Sequence, residues 1–167
     1  MSSKFIFPNI RLDKNYILRE ILESDVEDFF YYYSKPQVSK YILSSIPKNI
    51  EEAKYELQYW INTKEHNEGI YFAIASKDNN KLIGTIGLTD HNTKHHRAEI
   101  SYDIAYEFWN KGIVSKAISK IINYVFFEMN LNRIEAQCVI KNIASHRVLE
   151  KNGFQQEGVL RQYRKNL

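Results

Sequence analysis

From Ile10 to Ile21 apolar and polar residues alternate, and the spacing predicts a first strand. The next apolar positions, Val26, Phe29, Phe30 and Tyr33, recur at helical steps. They stand behind Ser24-Asp25-Val26-Glu27, which has the form of an N-cap followed by a capping-box acid. Pro36 and Pro47 punctuate the stretch after this helix. At Asn49 a second helical pattern begins and puts Ala53, Leu57, Trp60 and Ile61 on one face. Past Gly69 the period drops to two: Tyr71 to Ala75, a turn at Asp78-Asn79-Asn80 and Lys81 to Thr89 read as a hairpin. A polar loop, His91 to His96, leads to a third antiparallel strand, Arg97 to Ala105. Then come a long helix carrying Ile113, Ala117, Ile121, Tyr124 and Val125, a strand from Asn132 to Ile140, a short helix from Asn142 to Gly153, and a last strand from Phe154 to about Tyr163. Such an order predicts an α/β fold with a mixed sheet and helices on both faces.

Two of these segments carry chemistry. Trp109-Asn110-Lys111-Gly112-Ile113-Val114-Ser115 breaks the strand pattern and leads into the long helix, so a glycine loop presents backbone N–H groups at a helix N-terminus. That arrangement holds phosphates. The segment Asn142 to Phe154 opens on a good N-cap and closes on a good C-cap, Gly153, directly after an apolar strand. Together with Leu82 to Leu88 and Ala98-Glu99-Ile100-Ser101-Tyr102, these residues resemble the GNAT superfamily of N-acetyltransferases. Within it they are most similar to the RimJ/RimL-like branch, which acetylates the N-termini of ribosomal proteins. In the second segment Asn142, Ser145, Val148, Glu150, Lys151, Gly153 and Phe154 carry the likeness, and the family pattern runs from Ile10 to about Tyr163.

The resemblance implies the acyl-coenzyme A N-acyltransferase fold: a mostly antiparallel sheet with one splayed parallel strand pair. It implies acetyl-coenzyme A as co-substrate and no metal. The loop residues Asn110, Lys111, Gly112, Ile113, Val114 and Ser115 would hold the pyrophosphate. Tyr102, Asp103 and Ile104 would contact the pantetheine arm and thioester oxygen, with Asn142 on the opposite wall. Glu99 would act as general base through water, its pKa raised by apolar burial. Ser145 would hydrogen-bond the departing thiolate or relay a proton to it. The acceptor is a primary amine, expected to be the N-terminal α-amine of a ribosomal or other protein or peptide, because such a group with a pKa near 7.7–8.0 loses its proton more readily than a lysine near 10.4. Acetylation of an amino acid, polyamine or antibiotic is the alternative within the enzyme class. A non-catalytic acyl-coenzyme A sensor is the alternative outside it.

This chain departs from the family pattern at several points. Val114 stands where Gly or Ala is preferred and could narrow the pyrophosphate bed. Arg164 stands where some RimL-like enzymes have a second glutamate, and Leu149 where other acetyltransferases have a tyrosine acid. The family pattern also continues into one more strand past Leu167.

Composition narrows the remaining possibilities. The chain has 167 residues, 44% of them hydrophobic and 26% charged, which fits one soluble domain over residues 1–167. A net charge of +3 without a dense Lys/Arg tract argues against a nucleic-acid or membrane surface. No apolar run approaches the roughly 20 residues that cross a bilayer. One cysteine, Cys138, allows no internal disulfide, so a reducing, cytoplasmic setting is expected and Cys138 is read as a core residue of its strand. His91, His95 and His96 have the spacing of a solvated loop rather than of a metal site. Phe29 to Tyr33 is read as part core and part wall of the acceptor cleft. Monomer and homodimer are equally compatible with the chain.

Overall fold

A computed structural model describes residues 8–163 apart from residues 65 and 67, so Arg164 lies outside the described residues. The predicted first strand is two: β1 (Ile10–Arg11) and β2 (Tyr16–Glu20), paired antiparallel. The break is at Asp13, whose carboxylate accepts the N–H groups of Asn15 (2.8 Å) and Tyr16 (3.1 Å), a side-chain turn that polar Asp-Lys-Asn favours over continued alternation. α1 (Val26–Tyr33) follows a 3₁₀ turn, and its start is organised by Asp25 rather than Ser24. The Asp25 carboxylate accepts from Leu22 N (2.9 Å) and from the two terminal guanidinium nitrogens of Arg19 (2.8 Å each). α2 (Pro36–Ser39) has proline at its first turn, where the missing N–H costs nothing. α3 (Ile50–Asn62) is capped as expected: the Asn49 side chain accepts from Glu52 N (2.9 Å).

β3 (Gly69–Ser76), β4 (Leu82–Asn92) and β5 (Arg97–Ile104) form the antiparallel meander; His91 lies within β4, and the turn is confined to residues 93–96. α4 (Ile113–Phe127), β6 (Arg133–Glu135) and α5 (Ile143–Lys151) complete the described elements. The six strands make one sheet in the order β1-β2-β3-β4-β5-β6, antiparallel except for the parallel pair β5 and β6. Strand alternation sends two apolar sets to opposite faces. On one face Leu18, Phe72, Ile86 and Ile100 pack with Ile113, Ala117, Ile118, Ile121 and Val125 of α4. On the other Ala73 and Leu82 pack with Phe29, Tyr32 and Tyr33 of α1 and Leu57 and Trp60 of α3.

Two expected strands fall short. The one expected over Asn132 to Ile140 keeps ladder bonds only at Arg133–Glu135, and the one expected over Phe154 to Tyr163 is irregular. An edge strand persists only where it is paired and buries a face. Gln155, Gln156, Glu157 and Gly158 have low strand preference, and Val159 and Leu160 stay 52% and 61% exposed. An Arg133–Glu157 ion pair (2.6 Å) tethers the segment instead.

Candidate active site

β5 pairs with β4 along nearly all its length, but β6 runs beside it only at Arg97↔Arg133, Ala98↔Ile134 and Glu99↔Glu135. An Arg97–Glu135 ion pair reinforces that short contact. Beyond Glu99 the edge of β5 that faced β6 has no strand partner among the described residues. Ala105 donates its N–H to Ile83 O (2.8 Å), so alternation turns the backbone groups of Ser101 and Asp103 toward β4 and those of Tyr102 and Ile104 toward the gap. The Ile104 carbonyl accepts from the Trp109 indole (2.9 Å). Side chains alternate between the sheet faces: Tyr102 and Ile104 lie on the α4 side, and Asp103 on the side of α1.

At the far end of β5 the predicted glycine loop adopts a conformation suited to anions. Asn110 (φ 60°) and Gly112 (φ 71°) are both left-handed around Lys111, an alternation of hand that turns successive N–H groups to one side. A Cβ placed on Gly112 would meet no protein atom within 4 Å, so the loop is open and the glycine is required for its φ. Ile113 begins α4, whose positive dipole end adds to the N–H groups. Val114 is half-buried and packs against the core, and Lys111 Nζ sits 5.0 Å from the centre of the Phe108 ring. The Ser115 hydroxyl accepts from the Asn152 amide (3.1 Å), which also donates to Val148 O (2.7 Å), tying α4 to α5.

The other wall is α5. Asn142 caps it by accepting from Ser145 N (3.2 Å), and Gly153 (φ 85°) ends it in the left-handed form, as its sequence predicts. The Ser145 hydroxyl lies 2.7 Å from the Tyr102 hydroxyl, which also donates to Ser145 O (3.4 Å), so the Tyr102 side chain joins β5 to α5 beyond the point where their backbones part. Burial pushes the Tyr102 phenol up to about 12, which keeps it neutral.

Glu99 is half-buried, and its carboxylate accepts from the Gln137 amide (3.1 Å). Its setting is thus partly polar, not the apolar enclosure expected. The Asp103 side chain has an enclosed setting on the α1 side of the sheet. The residue is half-buried but its carboxyl is enclosed, accepting from Tyr32 OH (2.6 Å), Thr85 Oγ1 (2.7 Å) and Thr85 N (3.2 Å). Desolvation lifts its pKa from 3.8 to about 6.

Cys138 is not in a strand but in the irregular stretch after β6; burial pushes its thiol up, away from a reactive thiolate. That stretch and residues 154–163 flank a groove of about 1010 Å³ that also touches Leu43, His146 and Asn152. Among the described residues no cluster of His, Cys, Asp and Glu could hold a metal, and no helix is long and apolar enough to cross a membrane. The chain's local pattern does not announce the contacts of the Tyr102 hydroxyl, Gln137, Asn152 and the Asp103 carboxyl. Strand parity gives the face of Tyr102 and Asp103, whereas Gln137 and Asn152 depend on tertiary placement that local pattern does not encode.

Residues 15–155 match the family described as Acetyltransferase (GNAT) domain. A Bacillus subtilis protein named uncharacterized N-acetyltransferase YoaA is 40% identical over 158 residues, covering 95% of this chain and 89% of its own length. Two more distant relatives differ in the acceptor their names give. Ribosomal-protein-serine acetyltransferase of Escherichia coli is 31% identical across 60% of this chain and 56% of its own. Spermidine N(1)-acetyltransferase of Vibrio cholerae is 29% identical across 63% and 61%. Among solved structures, a GNAT-family acetyltransferase from Bacillus anthracis superimposes with a TM-score of 0.78 at 28% identity, covering 90% of this chain and 86% of that one. The ribosomal L7/L12 α-N-protein acetyltransferase RimL, solved with coenzyme A, shares the fold at a TM-score of 0.85 and 20% identity, covering 95% and 90%.

Proposed function

The chain belongs to the GNAT family and is an acetyl-coenzyme A-dependent N-acetyltransferase; from that premise we propose that its acceptor is a protein or peptide N-terminal α-amine, as in the RimJ/RimL-like branch. What supports the assignment of the cleft above all is the short parallel contact: β5 and β6 part after Glu99, and the backbones of Tyr102 and Ile104 face the gap. An amide-rich pantetheine arm laid along that edge bonds it as a further strand would. The diphosphate then reaches the left-handed loop and the N–H groups of Lys111 to Ser115 at the head of α4. Asn142 and Ser145 form the facing wall.

In this assignment the amine nitrogen attacks the thioester carbonyl, its proton passes through water to Glu99, and the C–S bond of the adduct breaks. The thiolate so released takes a hydrogen bond or proton from Ser145, whose hydroxyl is backed by Tyr102. A neutral serine is a weak acid, so hydrogen bonding is its main contribution. Glu99, half-exposed beside Gln137, suits an acceptor that already loses its proton near neutral pH, which favours an α-amine over an alkyl amine. The lone Cys138 fits a reducing, cytoplasmic setting.

The test is thiol release from acetyl-coenzyme A with a panel of N-terminal peptides, spermidine and aminoglycosides. The expected result is a kcat/KM for the best peptide about 10-fold or more above that of any small amine. A preference for spermidine would overturn the α-amine assignment and leave acetyl transfer intact.

A further inference from the structure

The Asp103 carboxyl stands directly behind the part of β5 whose backbone faces the gap, and among the described residues it has no ion-pair partner. Three neutral donors hold it, and they come from two elements: Thr85 of β4 and Tyr32 of α1, 71 positions away in sequence. Tyr32 is fully buried, and Thr85 is 2% exposed. Next to Tyr32, the Tyr33 hydroxyl bonds the Ser44 hydroxyl (3.0 Å), so α1 also grips the loop between α2 and α3. Tyr33 is fixed in turn by Phe29 (4.6 Å between ring centres) and Trp60 (5.8 Å), and Trp60 stacks on Tyr71 at 4.9 Å. A continuous set of contacts therefore runs from the 40–47 loop through α1 to the splayed half of β5.

We propose that Asp103 is a positioning residue for acyl transfer, clamping α1 and the loop it carries against the strand that presents the thioester. This rests on the assignment of the cleft given above. A carboxylate surrounded by burial and neutral donors is a poor device for stability alone, since its charged form is disfavoured there. It is a good device for geometry, because an ionised acceptor makes short bonds to two fixed hydroxyls. An error of about 1 Å between nucleophile and carbonyl can lower turnover on the order of 100-fold without loosening either substrate.

The experiment compares Asp103→Asn, Tyr32→Phe and the double variant with the parent protein, using the best acceptor from the panel. The expected result is a kcat about 10-fold or more below the parent for each single variant, with the Kd for acetyl-coenzyme A, read by calorimetry, within about 2-fold. The double variant should lose less than the product of the two single losses, since both changes act on the one Tyr32–Asp103 bond, Asp103→Asn by removing the charge of its acceptor and Tyr32→Phe by removing its donor. Asp103→Glu, which keeps the charge but moves it by a methylene, should not restore kcat. A folded Asp103→Asn with parental kcat, or losses that multiply in the double variant, would overturn the clamp. If Asp103→Asn fails to fold, Tyr32→Phe, which keeps the ring and its packing, decides by the same kcat and Kd criteria. A parent protein that neither binds nor turns over acetyl-coenzyme A would instead sink the cleft assignment.

Discussion

Two adjacent residues of β5 place their polar ends on opposite faces of the sheet, and the two settings differ in kind. Tyr102 offers a neutral phenol to Ser145 at the edge of the gap, through a short bond with its hydroxyl and a longer one to its carbonyl, which a ligand can replace. Asp103 offers a carboxyl to three donors in an enclosed site, where no bond can be exchanged without leaving a buried group unpaired. The contrast separates two duties within one strand. The Tyr102 face is free to exchange its partner, and the Asp103 face is built to stay still.

The strongest way to break this contrast is through pH. In the folded chain the Asp103 carboxyl holds its proton up to about pH 6, against 3.8 for a free aspartate. Between those values the folded state binds more protons than the unfolded state, so this residue's contribution to stability is full below pH 4 and falls as pH rises through 6. Relative to Asp103→Asn, the parent should lose on the order of 3 kcal/mol of unfolding free energy between pH 4 and 7, measured by urea titration at each pH. Equal pH slopes in the two proteins would mean that the carboxyl is not enclosed.

Of comparable size is the effect expected at Glu99. Glu99→Gln should lower kcat roughly 100-fold at neutral pH with little change in acetyl-coenzyme A affinity. Unchanged turnover removes the residue from the chemistry and leaves Asp103 the only carboxyl argued to act on this stretch of β5. A smaller effect belongs to Gly112→Ala. No protein atom opposes the added methyl group, so the cost is the left-handed φ of 71°, about 1 kcal/mol, and it should appear as a several-fold weaker Kd for coenzyme A. The smallest is Tyr102→Phe. Ser145 keeps its place on α5 without the phenol, so kcat should fall only a few-fold, and less than in Ser145→Ala, as read by single-turnover kinetics.

Much of this molecule is legible in its sequence, and the exceptions have physical causes. The meander from Tyr71 to Ile104 is legible because its apolar runs, buried without a break over residues 72–75 and 82–88, are bounded by polar turn residues, and α4 because Ile113, Ala117, Ile121 and Val125 repeat at helical spacing and all face the sheet. Asn49 and Asn142 declare their helices because capping is local chemistry. Residues 136–140 and 154–163 mislead, because the apolar content of an edge segment cannot say whether a neighbour will pair with it. The split of the first strand at Asp13 is local but depends on two side-chain hydrogen bonds that compete with the ladder. At the candidate site the loop is legible as a composition, whereas its working geometry comes from Asn110 joining Gly112 at positive φ. The Asp103 clamp is hidden, since the helix that supplies Tyr32 precedes β5 by 71 residues and only the folded sheet brings the two together.

The three-rung contact between β5 and β6 sets how the two halves of the protein are fastened. Past Glu99 and Glu135 the halves are joined by side chains, among them Tyr102 to Ser145 and Asn152 to Ser115, and not by a ladder. A guest seated there can depart when a few such links swing aside, with every rung of the sheet left whole. Opening of the gap is thereby uncoupled from the cooperative unfolding of the domain's core.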